Sequence, residues 1–292
     1  MDVSVIIPCH NIGEFLDECI ESVVAQDIAD MEIIVVDDGS TDPYTLEVLS
    51  RLPETYRGIS VVRVAHRNVG LARNAGFARS SGDFILFVDA DDVLGERFLT
   101  TTLDGLRRRQ DCGVAFTDVK LFGQVSGMWY TGPFLFAGEL YFDNYLQYCS
   151  LIRRRVIEVY GGFDAMPGHA DWDFWIKLYK NGVRFLKVHD VYAWYRKREN
   201  SMLARIRSQR PHLINRLILN HKEVYSRLFL WTISDREVCR VQGLLQAATE
   251  HPHDAATVDL LRHTRPYRQF TSYRAVVRTY QKAWGFVMRG KS

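Results

Sequence analysis

Phe84-Ile85-Leu86-Phe87-Val88-Asp89-Ala90-Asp91-Asp92 sets five apolar residues in a row directly before three carboxylates in four positions. An unbroken apolar run of that length reads as a strand buried on both faces, as found inside a parallel sheet. Working outward, similar runs rich in Val, Ile and Phe recur at 3–8, 32–37 and 59–65, with the quoted one at 83–88. Between them lie helix-like stretches at 14–26, 45–51 and 71–81. The first places Phe15, Leu16, Cys19, Ile20, Val23 and Val24 on one face. Strand and helix in alternation predict an α/β fold, Rossmann-like, with a mostly parallel sheet and helices on both faces. In such a sheet ligand chemistry lies just beyond the C-terminal strand ends. Polar residues collect there: Pro8-Cys9-His10-Asn11, Asp37-Asp38-Gly39-Ser40, His66-Arg67-Asn68 and Asp89-Ala90-Asp91-Asp92.

The carboxylates after 84–88 project from a rigid strand into a small volume, and like charges resist that arrangement. A divalent cation relieves it, and hard oxygen ligands suit Mg²⁺ or Mn²⁺ bridging to phosphate. Asp89, Asp91 and Asp92 are therefore candidate metal ligands, with a polar turn or helix cap as the alternative. Asp37 and Asp38, before the turn at Gly39, are placed to accept hydrogen bonds from a base or ribose, or to form an ordinary Asp-Gly turn. No Gly-x-Gly-x-x-Gly follows the first strand and no Gly-x-x-x-x-Gly-Lys-[Ser/Thr] occurs, which removes support for dinucleotide oxidoreductases and P-loop enzymes. A glycine turn, Gly161-Gly162-Phe163-Asp164, leads to Asp171-Trp172 at the start of an expected helix. An indole face beside a carboxylate suits a sugar, the acid binding or deprotonating a hydroxyl; Asp171 as a plain cap is the alternative.

The chain has 292 residues and 47% hydrophobic content, enough for one large α/β domain and an appendage. Its five cysteines show no Cys-x-x-Cys pairing, so a disulfide framework or thiolate zinc site is not expected and a reducing cytosol fits. No apolar run approaches a spanning helix, which predicts a cytoplasmic protein, soluble or peripheral on the cytoplasmic face of the membrane. The net charge of +2 conceals an asymmetry: residues 205–292 hold 16 Lys/Arg against 6 Asp/Glu, a surplus of +10 that leaves −8 for residues 1–204. The boundary is expected near 205, with a basic helical region following it.

Val3-Ser4-Val5-Ile6-Ile7-Pro8-x-x-Asn11, Ile33-Ile34-Val35-Val36-Asp37-Asp38-Gly39-Ser40-Thr41-Asp42, Asn68-x-Gly70-x-x-x-Asn74-x-Gly76 and Phe87-Val88-Asp89-Ala90-Asp91-Asp92, in that order, resemble the family 2 glycosyltransferases over roughly residues 3–202. The resemblance implies a GT-A fold, a nucleoside-diphosphate sugar donor (a UDP-sugar favoured), and inversion at the anomeric carbon. It makes Pro8, His10, Asn11, Asp37 and Asp38 candidates for the nucleoside site, with Asn68 and Arg73 nearby. Asp89, Asp91 and Asp92 would then serve ribose and metal-diphosphate, Asp171 the catalytic base and Trp172 the acceptor. There are two departures. The usual Glu-Asp pair stands as Ala170-Asp171, and the frequent Tyr-Arg-x-His as Tyr195-Arg196-Lys197-Arg198. Arg196 and Arg198 are candidates for direct diphosphate contact, a solvated basic loop being the alternative.

Near the C-terminus Phe270, Tyr273, Val277, Tyr280, Trp284 and Val287 mark an apolar stripe beside Arg274, Arg278 and Lys282. It fits packing on the protein, a homodimer contact, or an anionic membrane surface. No nucleic-acid module is recognisable. The expected function is sugar transfer to a glycan or lipid-linked glycan in cell-surface polysaccharide synthesis; the alternative is an inactive sugar-nucleotide-binding scaffold.

Overall fold

The computed structural model describes residues 1–65, 67–131, 139–199, 201–202, 206–228, 235–250 and 254–275. His66 and the stripe residues Val277, Tyr280, Trp284 and Val287, with Arg278 and Lys282, lie outside them. The chain divides into two compact units, Met1–Pro133 with Tyr145–Glu199, and Phe134–Asn144 with Asn200–Ser292.

The first unit begins with strand β1 (Val3–Cys9), helix α1 (Gly13–Val24), β2 (Met31–Asp38), α2 (Pro43–Thr55), β3 (Ile59–Val64), α3 (Val69–Phe77) and β4 (Phe84–Phe87). Every residue of β1 and β4 is buried, as continuous apolar runs require of central strands. Helix starts are written locally: Asp42 accepts from the Thr45 amide ahead of Pro43, and Asn68 accepts from the Leu71 amide. There follow β5 (Val93–Leu94), α4 (Phe98–Arg108), β6 (Cys112–Gly123), β7 (Gly127–Trp129), β8 (Leu151–Arg153), α5 (Arg154–Tyr160), α6 (Ala170–Lys180) and β9 (Arg184–Lys197).

The strand order is β3-β2-β1-β4-β8-β6-β9-β5, with β7 on β6. Strands β3, β2, β1 and β4 are parallel as expected. Beyond them the sheet is mixed, because β8 runs antiparallel to both β4 and β6, and β5 antiparallel to β9. The longest strand of this mixed part but one, β6, runs for twelve residues beside β9.

The chain leaves β1 toward β2 and β3, then returns through α3 to β4 on the other side, so the order reverses between β1 and β4. There the ladder ends at Ile6 and Phe87, with one more bond from the Val88 amide to the Ile6 carbonyl at 3.0 Å. Pro8, two residues beyond Ile6 on the same edge of the strand, has no N–H to continue it. The two strands are thus free to part beyond Ile6, at the switch point where open α/β sheets bind ligands.

Helix α3 packs close over this point. A Cβ on Gly76 would meet Ile6 Cγ2 well inside van der Waals contact and Val36 Cγ2 at 3.0 Å. Gly76→Ala gains roughly 1 kcal/mol of helix propensity but overpacks stiff β-branched side chains at a cost of about 1–3 kcal/mol. The expected net is a loss of up to about 2 kcal/mol, read as a lower urea midpoint; a raised midpoint would contradict it.

The second unit contains α7 (Arg210–Asn220), α8 (Lys222–Leu228), α9 (Asp235–Glu250), α10 (Ala255–Arg262) and a helical stretch at 265–275. Asn215 on α7 ties down α10: its Nδ2 donates to the Leu261 carbonyl at 3.0 Å and its Oδ1 accepts from Thr264 Oγ1 at 2.7 Å. The described part of the apolar stripe is packed within this unit. Phe270 is buried, Tyr273 stacks on Phe142 at 5.6 Å, and Arg274 pairs with Asp143 at 2.6 Å. Among the described residues no helix is long and apolar enough to cross a membrane.

Candidate active site

Two linked groups of side chains stand at the C-terminal ends of β1, β2 and β4. The first is organised by Asp38, buried at the end of β2. Its two carboxylate oxygens accept from the backbone amides of Arg67 (2.9 Å) and Asn68 (2.7 Å), which bends the chain into α3. Its carbonyl accepts from His10 Nδ1 at 2.9 Å, so that the exposed imidazole after β1 carries its proton on Nδ1. Asn11, in the left-handed region at φ 50°, accepts from the amides of Thr41 (2.7 Å) and Asp42 (2.9 Å). Asp37 is buried, accepting from the Ser40 amide at 2.8 Å and pairing with Arg63 at 3.2 Å. Arg63 sits opposite Asp37 in the β2–β3 register.

Asn68 reaches further. Its Nδ2 donates to the Met166 carbonyl at 2.9 Å, while Asn74 clamps Phe163 through both backbone groups at 2.8 Å. Gly162 fits beneath Asn74 because a Cβ there would collide with its Oδ1. The Asn68–Asn74–Gly76 pattern therefore fastens α3 to the loop before α6. The side chain of Asn68, expected near the nucleotide, makes its hydrogen bonds inside the protein, because an uncapped helix start and a free carbonyl at 166 would otherwise be left.

The second group is the acid cluster. Asp89 Oδ1 pairs with Arg73 Nη2 at 2.6 Å. Arg73 is itself buried, its guanidinium 4.7 Å from the Tyr148 ring centre and 5.3 Å from that of Phe163. Asp91 Oδ2 accepts from Arg198 Nε at 2.8 Å and Nη2 at 2.6 Å. Arg196 donates from Nε to the Asp91 carbonyl at 2.9 Å and pairs with Glu18. Its guanidinium also lies against the rings of Phe15 (4.6 Å) and Phe122 (4.3 Å). Arg196 and Arg198 thus terminate β9 and continue just past it, held on the cluster instead of forming the solvated loop kept as an alternative.

Asp92 is buried and faces inward, accepting from the Tyr148 hydroxyl and from the Arg196 amide at 2.8 Å. Burial first, then Asp91 and Asp89, push its carboxyl well above the usual range. With both oxygens engaged it braces β9 against the loop after β4. This corrects the expectation that all three carboxylates offer oxygens to a metal: Asp89 and Asp91 are the part-exposed ones. Burial, followed by the charge of Asp89, also raises Asp91 above the ordinary carboxylate range, against the pull of Arg198. Tyr148→Phe keeps the ring under Arg73 and deletes only the hydroxyl on Asp92. The expected loss is roughly 1–3 kcal/mol in urea unfolding; an unchanged midpoint would remove Tyr148 from the support of Asp92.

Asp171 lies part-exposed in the first turn of α6, after His169 in the left-handed region at φ 57°. It is within electrostatic reach of Tyr195. Burial raises the Tyr195 hydroxyl well above its usual range, as do Asp92, Asp89, Asp91 and then Asp171. The α6 base candidate and the β4 acid cluster accordingly act on one phenol. Trp172 is 1% exposed with its edge against His169 at 5.6 Å. So enclosed, the indole has no face to offer a sugar, which corrects its reading as an acceptor platform.

Among the described residues no group of three His, Cys, Asp or Glu is placed to hold a metal ion. Two carboxylates are sufficient for Mg²⁺ or Mn²⁺ where substrate phosphate completes the shell, and Asp89 and Asp91 are the part-exposed members of the cluster. The residues fit such a metal at Asp89 and Asp91. Tyr148, Phe15 and Asn74 are site residues that sequence reading missed. Tyr148 has no motif around it, whereas Asn74 stood inside one.

A family model described as glycosyl transferase family 2 matches residues 4–161. Glycosyltransferase GlyA of Streptococcus pneumoniae is 28% identical over 178 residues, 61% of this chain and 24% of GlyA, so the chain spans about a quarter of that relative. Among solved structures, S. aureus TarS 1–349 in complex with UDP-GlcNAc is similar with a TM-score of 0.63 at 21% identity, covering 97% of this chain and 92% of that one. A mannosyltransferase from Pyrobaculum calidifontis in complex with GDP-Man and Mn²⁺ is similar with a TM-score of 0.60 at 22% identity, covering 97% and 87%. At these identities the structures speak for the fold, which is GT-A-like.

Proposed function

The chain belongs to glycosyl transferase family 2, and from that premise we propose that it transfers a sugar, with inversion, from a nucleoside-diphosphate sugar to a glycan or lipid-linked glycan of a cell-surface polysaccharide. The observation that carries the reading is the gathering of His10, Asp38, Asp89 and Asp91 around the parted ends of β1, β2 and β4, with Arg196 and Arg198 beside them. The exposed imidazole of His10, fixed by Asp38, stacks on the base. Pro8, Asn11, Asp37 and Asn68 shape the loops around the nucleoside, and Arg73 holds Asp89 toward it. Asp89 and Asp91 would hold a Mn²⁺ or Mg²⁺ ion, which when bound neutralises the charge of the leaving diphosphate. Asp171 removes the proton of the acceptor hydroxyl as its oxygen attacks the anomeric carbon, and Arg196 and Arg198 supply donors that match phosphate geometry. A UDP-sugar is the favoured donor, as in the TarS complex with UDP-GlcNAc.

The transfer chemistry is assigned to residues 1–204. A screen of UDP- and GDP-sugars for binding and for slow release of nucleoside diphosphate, with and without Mn²⁺, tests the reading. Metal-dependent release from one donor is expected. Binding without turnover under any metal would reject the enzyme in favour of a scaffold.

Residues 205–292 are assigned packing, self-association or attachment to the cytoplasmic face of a membrane, on their surplus of +10. Removing 276–292 spares the packed Phe270 and Tyr273 and takes away Arg278, Lys282, Arg289 and Lys291. Sedimentation with vesicles containing phosphatidylglycerol is expected to fall roughly tenfold or more, at ~1 kcal/mol per basic residue. Equal sedimentation would exclude this segment as the attachment.

A further inference from the structure

Both part-exposed carboxylates of the acid cluster already carry an arginine, and the two arginines differ in their freedom to leave. Arg73, on Asp89, has a side chain only 3% exposed, enclosed between the Tyr148 and Phe163 rings, and its buried Nε finds no hydrogen-bond partner among the described residues. It has nowhere to go without opening the core. Arg198, on Asp91, follows the last residue of β9, has a side chain 27% exposed, and lies 5.2 Å from the Phe15 ring, at the outer side of the cluster. Both of its bonds to Asp91 land on the same oxygen, Oδ2.

We propose that Arg198 is a tethered counter-cation that competes with a divalent metal for the Asp91 carboxylate, so that metal entry and release of this arginine are one event. The inference rests on the sugar-transfer reading only for the presence of a metal at Asp91. A divalent ion on Oδ2 displaces the guanidinium outright, and one on Oδ1 meets a positive charge across a single carboxylate. In both cases the arginine is driven off by like-charge repulsion. Until then it holds Asp91 paired, which spares the cluster an uncompensated charge. Once freed, the guanidinium is available to phosphate oxygens, so nucleoside diphosphate and metal favour each other's binding through this one side chain.

The test is Mn²⁺ affinity of the full chain without nucleotide, read from the free-ion electron paramagnetic resonance signal at pH 8. Arg198→Gln is expected to bind Mn²⁺ roughly tenfold to a hundredfold more tightly than the wild type, the range set by loss of a charge-assisted pair. Arg198→Lys, which keeps a charge but makes fewer bonds, is expected to show a smaller gain. That graded order separates competition from a general loosening of the site, which would weaken both. Equal or weaker Mn²⁺ binding by Arg198→Gln overturns the proposal; should that variant not fold, the absence of any gain in Arg198→Lys does so. Asp91→Asn must abolish the Mn²⁺ site. If it does not, the metal lies elsewhere and this inference falls, whereas UDP-sugar binding by calorimetry, with and without Mn²⁺, still decides the donor reading independently.

Discussion

Asp171→Asn is expected to lower acceptor-dependent sugar transfer by roughly 10²–10⁴-fold while donor affinity stays at the wild-type value. The substitution keeps the shape of the side chain and deletes its capacity to take a proton. It also removes a negative charge from the first turn of α6, where the helix dipole makes that charge worth about 0.3–1 kcal/mol. At about 1.4 kcal/mol per factor of ten, a 10²–10⁴-fold loss is about 3–6 kcal/mol, well beyond what the helix end can explain. The magnitudes therefore discriminate. A small shift in melting temperature with a large fall in transfer marks a base, and the reverse marks a cap. Donor affinity and transfer measured on one preparation complete the test. Transfer at the wild-type rate sinks the assignment, and a collapse of donor affinity moves Asp171 into the donor site.

Asp91→Asn is expected to reduce metal-dependent release of nucleoside diphosphate by at least about 10²–10³-fold, the scale for losing one electrostatic contact to developing charge. Its effect on stability should be small, with a sign that depends on pH. The Asp91 carboxyl is raised in the fold by burial and by Asp89, so the folded state binds its proton more tightly than the unfolded chain does. Stability contributed by that proton is present below the unfolded value and is lost as pH rises through the folded one. Asparagine has no such loss, so relative to the wild type the variant gains stability as pH climbs through that window. Losing a partner for Arg198, which has a side chain 27% exposed, offsets part of the gain. Unchanged turnover in Asp91→Asn would remove this carboxylate from the metal site.

What the sequence made legible follows from how each strand is buried. Strands β1, β2 and β4 are enclosed over most or all of their length and carry continuous apolar runs, so their ends, and with them Asp38 and Asp89–Asp92, could be placed from the sequence. Strands β6 and β9 are partly exposed, and their charged residues are matched across the pair, Lys187 with Asp118 at 2.8 Å and Lys120 over the Trp194 ring at 4.8 Å. Such residues look like loop when the partner strand is some seventy positions away. The antiparallel β8, with three residues, is too short to show any period. At the candidate site, residue types at strand ends gave a neighbourhood but not the direction of each side chain. Asp92 turns inward because Tyr148 waits there, and Trp172 is enclosed because its face of α6 is apolar.

The asparagine ties from α3 to the loop before α6 join residues 98 and 89 positions apart. During synthesis, β1 to β4 can pair while the proposed base is still unmade, and the acid cluster waits without Arg196 and Arg198 until residue 198 has emerged. Contacts of such separation close late and slowly, since the loop entropy is lost before they form. The half that resembles a finished nucleotide site is thus born first and chemically incomplete, and the residue proposed to activate the acceptor is fixed in place only after the strands that frame the donor have formed.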